Sequence, residues 1–324
     1  MYLAIFGVLL VILILILVLR NTQPLCSQDR NETRAMIKMP ANTVATFERD
    51  DLDEFRPIAE SGPMVENISL PKNFMASSKW PLSISGVFDQ ERCGSCWAFA
   101  TSNAFSDRLK IKYQGKILSE NDYISPFNLA ACVKCGVNGA CPRVCEGNYL
   151  DDVCQFLVDE GAMPQSIIEK HGNKSLSYHC FDYLTVGVKP VKAKRKYRVN
   201  LFPPSMLKDA NHLASNEKAI MTDVYKHGTV CCIIKVYVPP DSRNFYLYDK
   251  GIYGHGWKSM PTQMEGYHAI TILGWGEEKI GNKIVKYWIV RNSWGNSWGT
   301  QGLGRILRGQ NFGMIESDVW ALEV

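Results

Sequence analysis

The feature of this sequence that most constrains its fold is the stretch QERCGSCWAFA at residues 90–100, where a polar loop changes abruptly into strong helix formers. Alanines and apolar residues recur near helical spacing, which predicts a helix from Cys96 to about Tyr113. The first turn of a helix has unpaired amides and the positive end of the dipole, and both favour a thiolate at Cys96. A thiolate is the form in which cysteine acts as a nucleophile.

The same stretch contains a second candidate group and an alternative interpretation. The side-chain amide of Gln90 could donate to a developing oxyanion beside the backbone amide of Cys96. Cys93 and Cys96 are also spaced C-x-x-C, as in a redox-active pair. A redox pair needs neither a histidine nor an asparagine, and both follow later in the chain, so we favour the nucleophile interpretation.

Two later segments supply the groups that a cysteine nucleophile requires. His268 lies at the head of a predicted strand in GYHAITILGWG (266–276), and Asn292 ends a second strand in YWIVRNSWG (287–295). An imidazole would pair with the thiolate and later protonate a leaving amine. An amide would orient the imidazole, giving the Cys-His-Asn variant of the triad. Trp294 would shield the His–Asn hydrogen bond from water, which strengthens it.

These segments, together with CGSCW at 93–97, resemble the papain family of cysteine proteases. The similarity is greatest to cathepsin B, with some features of cathepsin X. It covers about residues 70–324 and includes LPKNF at 70–74 and IESDV at 315–319. It implies a papain-like α+β fold, with the cysteine on a helical half and the histidine and asparagine on a barrel-like β half. It also implies an endopeptidase domain over residues 70–324 that acts on polypeptides and needs no metal or organic cofactor.

Position by position, the resemblance assigns the substrate site to Gly147, Asn148, Trp294 and Asp318. Asp318 matches an acidic residue at the base of a pocket for the second substrate residue before the scissile bond. A carboxylate there would pair with arginine while tolerating apolar side chains; the alternative is a surface carboxylate near a terminus. Asn148 replaces a glycine that approaches the substrate backbone, so its side chain would narrow the cleft. Cathepsin B captures a substrate C terminus with paired histidines, which this sequence lacks, so we expect endopeptidase action.

Eleven cysteines are many for a cytosolic enzyme and indicate an oxidising compartment. The closely spaced cysteines between residues 132 and 145 would suit zinc, but no nearby histidine completes a ligand set, so we favour disulfides and no metal. Spacing alone does not give the connectivity. The resemblance implies the pairs Cys93–Cys145 and Cys132–Cys180.

Other elements are predicted between the catalytic segments. An amphipathic helix begins at Leu150, and Cys154 on its apolar face is expected to be a buried thiol. A helix over residues 217–225 is closed by a glycine, and a buried strand follows over residues 230–237. The adjacent cysteines 231 and 232 would point to opposite faces of that strand as free thiols.

The composition limits the classes of partner. A net charge of +4 over 324 residues is too small to indicate nucleic-acid binding, and 46% hydrophobic with 21% charged residues suits one globular enzyme. A basic run within residues 189–198 could bind a polyanion, but we favour a solvated strand or loop. We expect a monomer.

The N terminus predicts membrane attachment. Residues 2–19 are apolar without interruption, long enough to span a bilayer, and lack the flanks of a cleaved signal. We therefore predict a transmembrane anchor over residues 1–20 and a stalk or zymogen pro-segment over residues 21–69. Three glycosylation sequons and the cysteines favour the lumenal or extracellular side, in a lysosome-like or virus-associated compartment, whereas the basic residues after the span favour a cytosolic body.

Two other functions remain open from the sequence. A membrane-tethered binding or scaffold protein could keep the fold after losing catalysis, although the intact Gln90, Cys96, His268 and Asn292 argue against this. Acyl or peptidyl transfer needs only a different acceptor in the same cleft.

Overall fold

The structure, a computed structural model, describes residues 68–135, 143–171, 179–180 and 187–324. The helices within these ranges are α1 (Ala76–Lys79), α2 (Cys96–Tyr113), α3 (Pro126–Cys135), α4 (Leu150–Asp159), α5 (Gln165–Lys170) and α6 (Ala210–His227). The strands are β1 (Phe74–Met75), β2 (Arg195–Arg198), β3 (Val230–Tyr237), β4 (Met264–Ile280), β5 (Lys283–Arg291), β6 (Leu303–Leu307) and β7 (Val319–Glu323).

The strands form one antiparallel sheet in the order β2-β7-β3-β4-β5-β6, with the short β1 paired to β4. Helices α2 to α5 precede β2 to β7, so helices and sheet are segregated along the chain, as in an α+β fold. The predicted α+β class is confirmed. The long strand β4 begins near the predicted histidine and pairs with β1, β3 and β5.

Two hydrophobic cores flank the sheet, and β3 contributes to both. Cys231 and Ile233 belong to the core on the helical side, whereas Cys232 and Ile234 belong to the core on the other side. Side chains of a strand alternate between its faces, which explains this division. The two adjacent cysteines therefore lie on opposite faces as predicted, and they and Cys154 are not disulfide-bonded.

Helix α2 is the central element of the helical half. Every residue from Cys96 to Lys110 is buried, and the helix packs against β3, β4 and β7 as well as α3 and α4. A helix enclosed on all sides must satisfy its polar side chains internally. Ser106, for example, donates to the carbonyl of Ser102 at 2.7 Å. The predicted bounds of this helix are confirmed, and Gln114 ends it with a left-handed φ of 49°.

Asp107 on α2 connects this helix to three other segments of the chain. Its carboxylate lies 2.8 Å from Nη2 of Arg291, at the end of β5, and both side chains are at most 1% exposed. It also accepts the backbone N–H of Ser85 and the hydroxyl of Thr229, each at 2.7 Å. Burying an ion pair is costly unless its remaining hydrogen bonds are made. The Asp107 carboxylate accepts all of these donors, whereas Nε of Arg291 has no hydrogen-bond partner among the described residues.

Helix α6 is longer than the sequence pattern predicted. The prediction covered residues 217–225, but the helix begins at Ala210. Asp209 caps it by accepting the backbone N–H groups of Asn211 and His212. The apolar periodicity starts only in the second half of the helix, so the exposed first turns were missed, although an aspartate N-cap is a recognisable start signal.

The basic run within residues 189–198 contains the strand β2, in agreement with the predicted strand or loop that we favoured over a polyanion site. Three of its cations form ion pairs within the chain: Arg195 contacts Glu323 at 2.6 Å, Lys196 pairs with Asp151, and Arg198 lies 3.6 Å from Asp318. Paired cations present less net positive charge to an external anion.

The predicted membrane localisation is corrected by the structure. Within the described ranges no helix is long and apolar enough to cross a bilayer. A single-pass N-terminal anchor, inferred from hydropathy and length alone, therefore has no support. Residues 1–67, which include the predicted anchor, nearly all of the predicted stalk or pro-segment and two of the sequons, lie outside the described residues, as does the third sequon at Asn173.

The buried ion pair of Asp107 and Arg291 gives a prediction about stability. Arg291→Met should lower the free energy of unfolding by about 3–5 kcal/mol, because it leaves a buried carboxylate without its counter-ion. Adding Asp107→Asn should recover part of this loss, since the uncompensated charge is then removed. Denaturant unfolding measures both variants.

Arg243→Met is the matched control, because Arg243 makes an exposed ion pair with Asp241. Its unfolding midpoint should stay at the wild-type value. Equal midpoint shifts for Arg291→Met and Arg243→Met would contradict the importance of the buried pair.

Candidate active site

Cys96 is the first residue of α2, and the cap residue Ser95 makes no side-chain bond to the helix end. The first amides of a helix have no acceptor within the helix, so their dipoles favour negative charge at the Cys96 sulfur. The sulfur also accepts the backbone N–H of Ala269 at 3.5 Å. Ala269 follows His268 directly, so this contact brings the cysteine of the helical half to the histidine of the sheet half.

His268 is completely buried, and its imidazole contacts Asn292 and Trp294. Its Nε2 lies 2.7 Å from Oδ1 of Asn292, which also accepts the backbone N–H of Ser293 at 2.7 Å. Because Oδ1 accepts in both contacts, Nε2 carries the proton of the neutral ring. The other ring nitrogen, Nδ1, is buried without a hydrogen-bond partner. Nδ1 is therefore the atom that can take a proton from a neighbouring thiol.

Aromatic rings enclose the His268–Asn292 hydrogen bond. Trp294 stacks on the imidazole with ring centroids 4.6 Å apart and an interplanar angle of 29°. Tyr246 stacks on Trp294 in turn, at 5.0 Å, and Phe245 meets Trp294 edge-on at 5.5 Å. Excluding water lowers the local dielectric and strengthens the hydrogen bond.

Gln90 is buried and fixed from both ends of its side chain. Its Nε2 donates to the carbonyl of Cys93 at 2.6 Å, and its Oε1 accepts the hydroxyl of Ser293. Its backbone N–H donates to the carbonyl of Ser293 at 2.8 Å. An amide nitrogen has two protons, so one N–H of Gln90 is used on Cys93 and the geometry of the other is set by these contacts.

The segment of Gly147 and Asn148 is joined to the same loop by a disulfide between Cys93 and Cys145. Lys134 donates to the carbonyl of Gly147 at 2.7 Å. Asn148 is 8% exposed, and its Oδ1 accepts the next backbone N–H, that of Tyr149, at 2.9 Å. The Asn148 side chain is therefore folded against its own backbone. The second disulfide, Cys132–Cys180, lies in the helical half, and both pairs are those that the resemblance implied.

Asp318 is separated from Cys96 by two strand pairings. Its carbonyl accepts the N–H of Ile233 at 3.2 Å, and Ile233 pairs in register with Ala269. As a whole residue Asp318 is only 6% exposed, and its carboxylate accepts the indole N–H of Trp320 at 2.7 Å. Asp318 is thus a buried, partnered group and not the surface carboxylate that was considered as an alternative.

Sequence reasoning missed several groups that support the site. Ala269 contacts the sulfur through its backbone, which no residue pattern reveals. Ser293 lies between two predicted site residues, Asn292 and Trp294. Its hydrogen bond with Gln90 joins two loops that are far apart in the chain, so the sequence did not predict it. Tyr246 lies in a short turn with no recognisable signal. In the described part of the chain, no group of three or more metal-ligating side chains is arranged to hold a metal ion.

Comparison with known proteins identifies the family of this chain. A family profile described as papain family cysteine protease matches residues 70–322. The chain is 31% identical over 272 residues to a cathepsin B-like cysteine proteinase of Schistosoma japonicum, covering 79% of this chain and 73% of that relative. Among solved structures, proCathepsin B S9 from Trypanosoma congolense has a TM-score of 0.63 at 20% identity, with 88% of both chains covered. That last likeness concerns the fold alone.

A further relative has a name that does not mention a proteinase. The chain is 33% identical over 269 residues to a tubulointerstitial nephritis antigen-like protein of Rattus norvegicus, covering 77% of this chain. The chain spans about half of that relative, 54% of its length.

The contact between His268 and Asn292 predicts a specific effect on turnover. Asn292→Ala removes the acceptor that orients the imidazole, so turnover of a peptide substrate should fall by about 10²–10⁴-fold. Steady-state kinetics on the folded variant measures this.

Asn216 provides the control because it is also a buried asparagine, with its Oδ1 accepting the backbone N–H groups of Leu201 and Phe202 outside the site. Asn216→Ala should lower stability and leave turnover per folded molecule unchanged. If both variants lose turnover alike, Asn292 has only a structural role.

Proposed function

Because the chain belongs to the papain family of cysteine proteases and is a cysteine peptidase, we propose that it is a cathepsin B-like endopeptidase using Cys96, His268 and Asn292. One observation carries the proposal: the 2.7 Å hydrogen bond from His268 to Asn292 stands next to the amide of Ala269 that contacts the Cys96 sulfur. Nucleophile, base and orienting group thus meet where the helical half and the sheet half join.

The reaction begins with proton transfer from Cys96 to Nδ1 of His268. Nε2–H is directed at Asn292, so the ring accepts the proton at Nδ1 and becomes an imidazolium beside a thiolate. The thiolate then forms a C–S bond with the peptide carbonyl carbon, and an electron pair of the C=O bond moves to the oxygen. This produces a tetrahedral oxyanion.

Gln90 and the backbone amide of Cys96 stabilise that oxyanion. Donors fixed before the reaction cost no reorganisation when the charge develops. The contacts of Gln90 with Cys93 and Ser293 provide such fixation. When the C–N bond breaks, Nδ1 gives its proton to the leaving amine and a thioester remains. Nδ1 then takes a proton from water, the hydroxide attacks the thioester, and the thiolate leaves with release of the carboxylic acid.

Internal cleavage is the mode that the residues support. Removal of residues from a substrate C terminus requires cationic or donor groups that hold the terminal carboxylate. The sequence has no adjacent histidines for that purpose. The Gly147–Asn148 segment and Trp294 would border the substrate backbone. Because the Asn148 side chain is folded against its own backbone, it would narrow the cleft less than the sequence predicted.

Cleavage of an internally quenched peptide with both ends blocked tests the proposal. The full chain, incubated at pH 5 to 7.5 so that any pro-segment can be removed, should cleave it in a thiol-dependent manner, and Cys96→Ala should abolish cleavage. Cys154→Ala is the matched control. A hydrogen bond with the Cys231 thiol, together with burial, raises the pKa of the Cys154 thiol well above its usual range, so that thiol stays protonated and unreactive.

The rival functions give other outcomes. Binding of the peptide without cleavage by the full chain would favour the binding or scaffold function. Formation of an amide product with an added amine, in place of the acid, would favour acyl or peptidyl transfer.

The oxyanion role of Gln90 predicts a loss in kcat. Gln90→Ala should lower kcat by about 10²–10³-fold with little change in KM, since the lost contact forms only as charge develops. Gln155→Ala serves as control, because the Gln155 amide donates to Asp159 on the exposed side of α4. A rise in KM at constant kcat would assign Gln90 to substrate binding.

A further inference from the structure

Asp318 is already engaged by groups of its own chain. The carboxylate accepts the indole N–H of Trp320 at 2.7 Å, and Nη2 of Arg198 lies 3.6 Å from the same oxygen, Oδ1. The side chains are 9% exposed for Asp318 and 19% for Arg198. A pair this sheltered from water interacts more strongly than one on the open surface.

Arg198 is held in place by Trp320. Its guanidinium lies over the indole ring at 4.8 Å from the centroid, within the range of a cation–π contact. Lys196, two residues earlier on the same face of β2, lies 5.4 Å from that ring and pairs with Asp151. Strand β2 thus brings two cations to Trp320, and one of them, Arg198, pairs with Asp318.

The strand register relates this cluster to the nucleophile. Asp318 lies beside Ile233, and Ile233 lies beside Ala269, whose N–H contacts the Cys96 sulfur. Two strand spacings amount to about 10 Å. Ile233 and Trp320 belong to the core on the helical side of the sheet, the side on which Cys96 lies. A substrate extended past Cys96 covers about 7 Å in two residues, so a long side chain there can reach Asp318.

We propose that Arg198 is a specificity-determining residue, which rests on the proposed peptidase function. It occupies Asp318 and so makes the subsite for the second residue before the scissile bond favour apolar side chains over arginine. A substrate guanidinium would have to displace Arg198 or lie beside it, and like charges in a sheltered site repel. The sequence alone, which shows a carboxylate at position 318, predicted a subsite that accepts arginine.

The test compares two blocked peptides that differ only in arginine or phenylalanine at that substrate position. The wild-type chain should show a higher kcat/KM for phenylalanine. Arg198→Gln should shift the ratio towards arginine by about tenfold or more, because one cation is removed from beside the carboxylate. Arg198→Lys should keep the wild-type preference, and Arg198→Gln with Asp318→Asn should lose the gained arginine acceptance.

Arg195→Gln is the matched control on the same strand, since Arg195 pairs with the exposed Glu323 at 2.6 Å. The ratio should stay at the wild-type value in this variant. An unchanged ratio in Arg198→Gln, or an equal change in Arg195→Gln, overturns the proposal.

Equilibrium binding separates this proposal from the proposed catalysis. The same two peptides are titrated into Cys96→Ala and into Cys96→Ala with Arg198→Gln, so that no turnover is needed. The affinity ratio should shift towards arginine only in the second protein, and its failure to shift overturns the role of Arg198 whether or not the chain is catalytic. A shift in binding without cleavage by the wild type would retain the subsite and reject the peptidase function.

Discussion

The buried ion pair between Asp107 and Arg291 is the interaction on which the site depends most. Asp107 is on the helix that begins at Cys96, and Arg291 directly precedes Asn292. The pair therefore fixes the helix that begins at Cys96 to the strand that directly precedes Asn292. Thr229 and Ser85 complete the coordination of the same carboxylate, so three separate segments are positioned by one side chain. Pre-organisation of this kind is what holds reacting groups at productive distances.

Much of the fold was accessible from the sequence because local signals and global structure agree. The α2 helix, the strand from Val230 to Tyr237 and the alternation of Cys231 and Cys232 follow from periodicity and propensity. The positions of Cys96, His268 and Asn292 were identified by chemistry and by resemblance, and the structure brings them together. The start of α6 was missed because its first turns have no apolar stripe.

The rest depended on contacts between residues far apart in the chain. Nothing in the local sequence shows that Ser293 fixes Gln90, or that Tyr246 covers Trp294. The ion pair of Asp318 could not be predicted for the same reason. Its partner Arg198 lies 120 residues away in the chain, in a segment that the sequence identified only as basic. The anchor predicted over residues 1–20 was inferred from hydropathy and length, and the described residues contain no helix that is long and apolar enough to cross a bilayer.

The distance between Cys96 and Asp107 has a consequence for how such a chain can change. Cys96, the proposed nucleophile, is eleven residues from Asp107, which is about 16 Å along the helix axis. One residue inserted between them would turn Cys96 by about 100° relative to the sheet, whereas surface loops absorb insertions at little cost. Insertions and deletions among related chains should therefore accumulate outside residues 96–107, where the number of residues is fixed by the helix geometry.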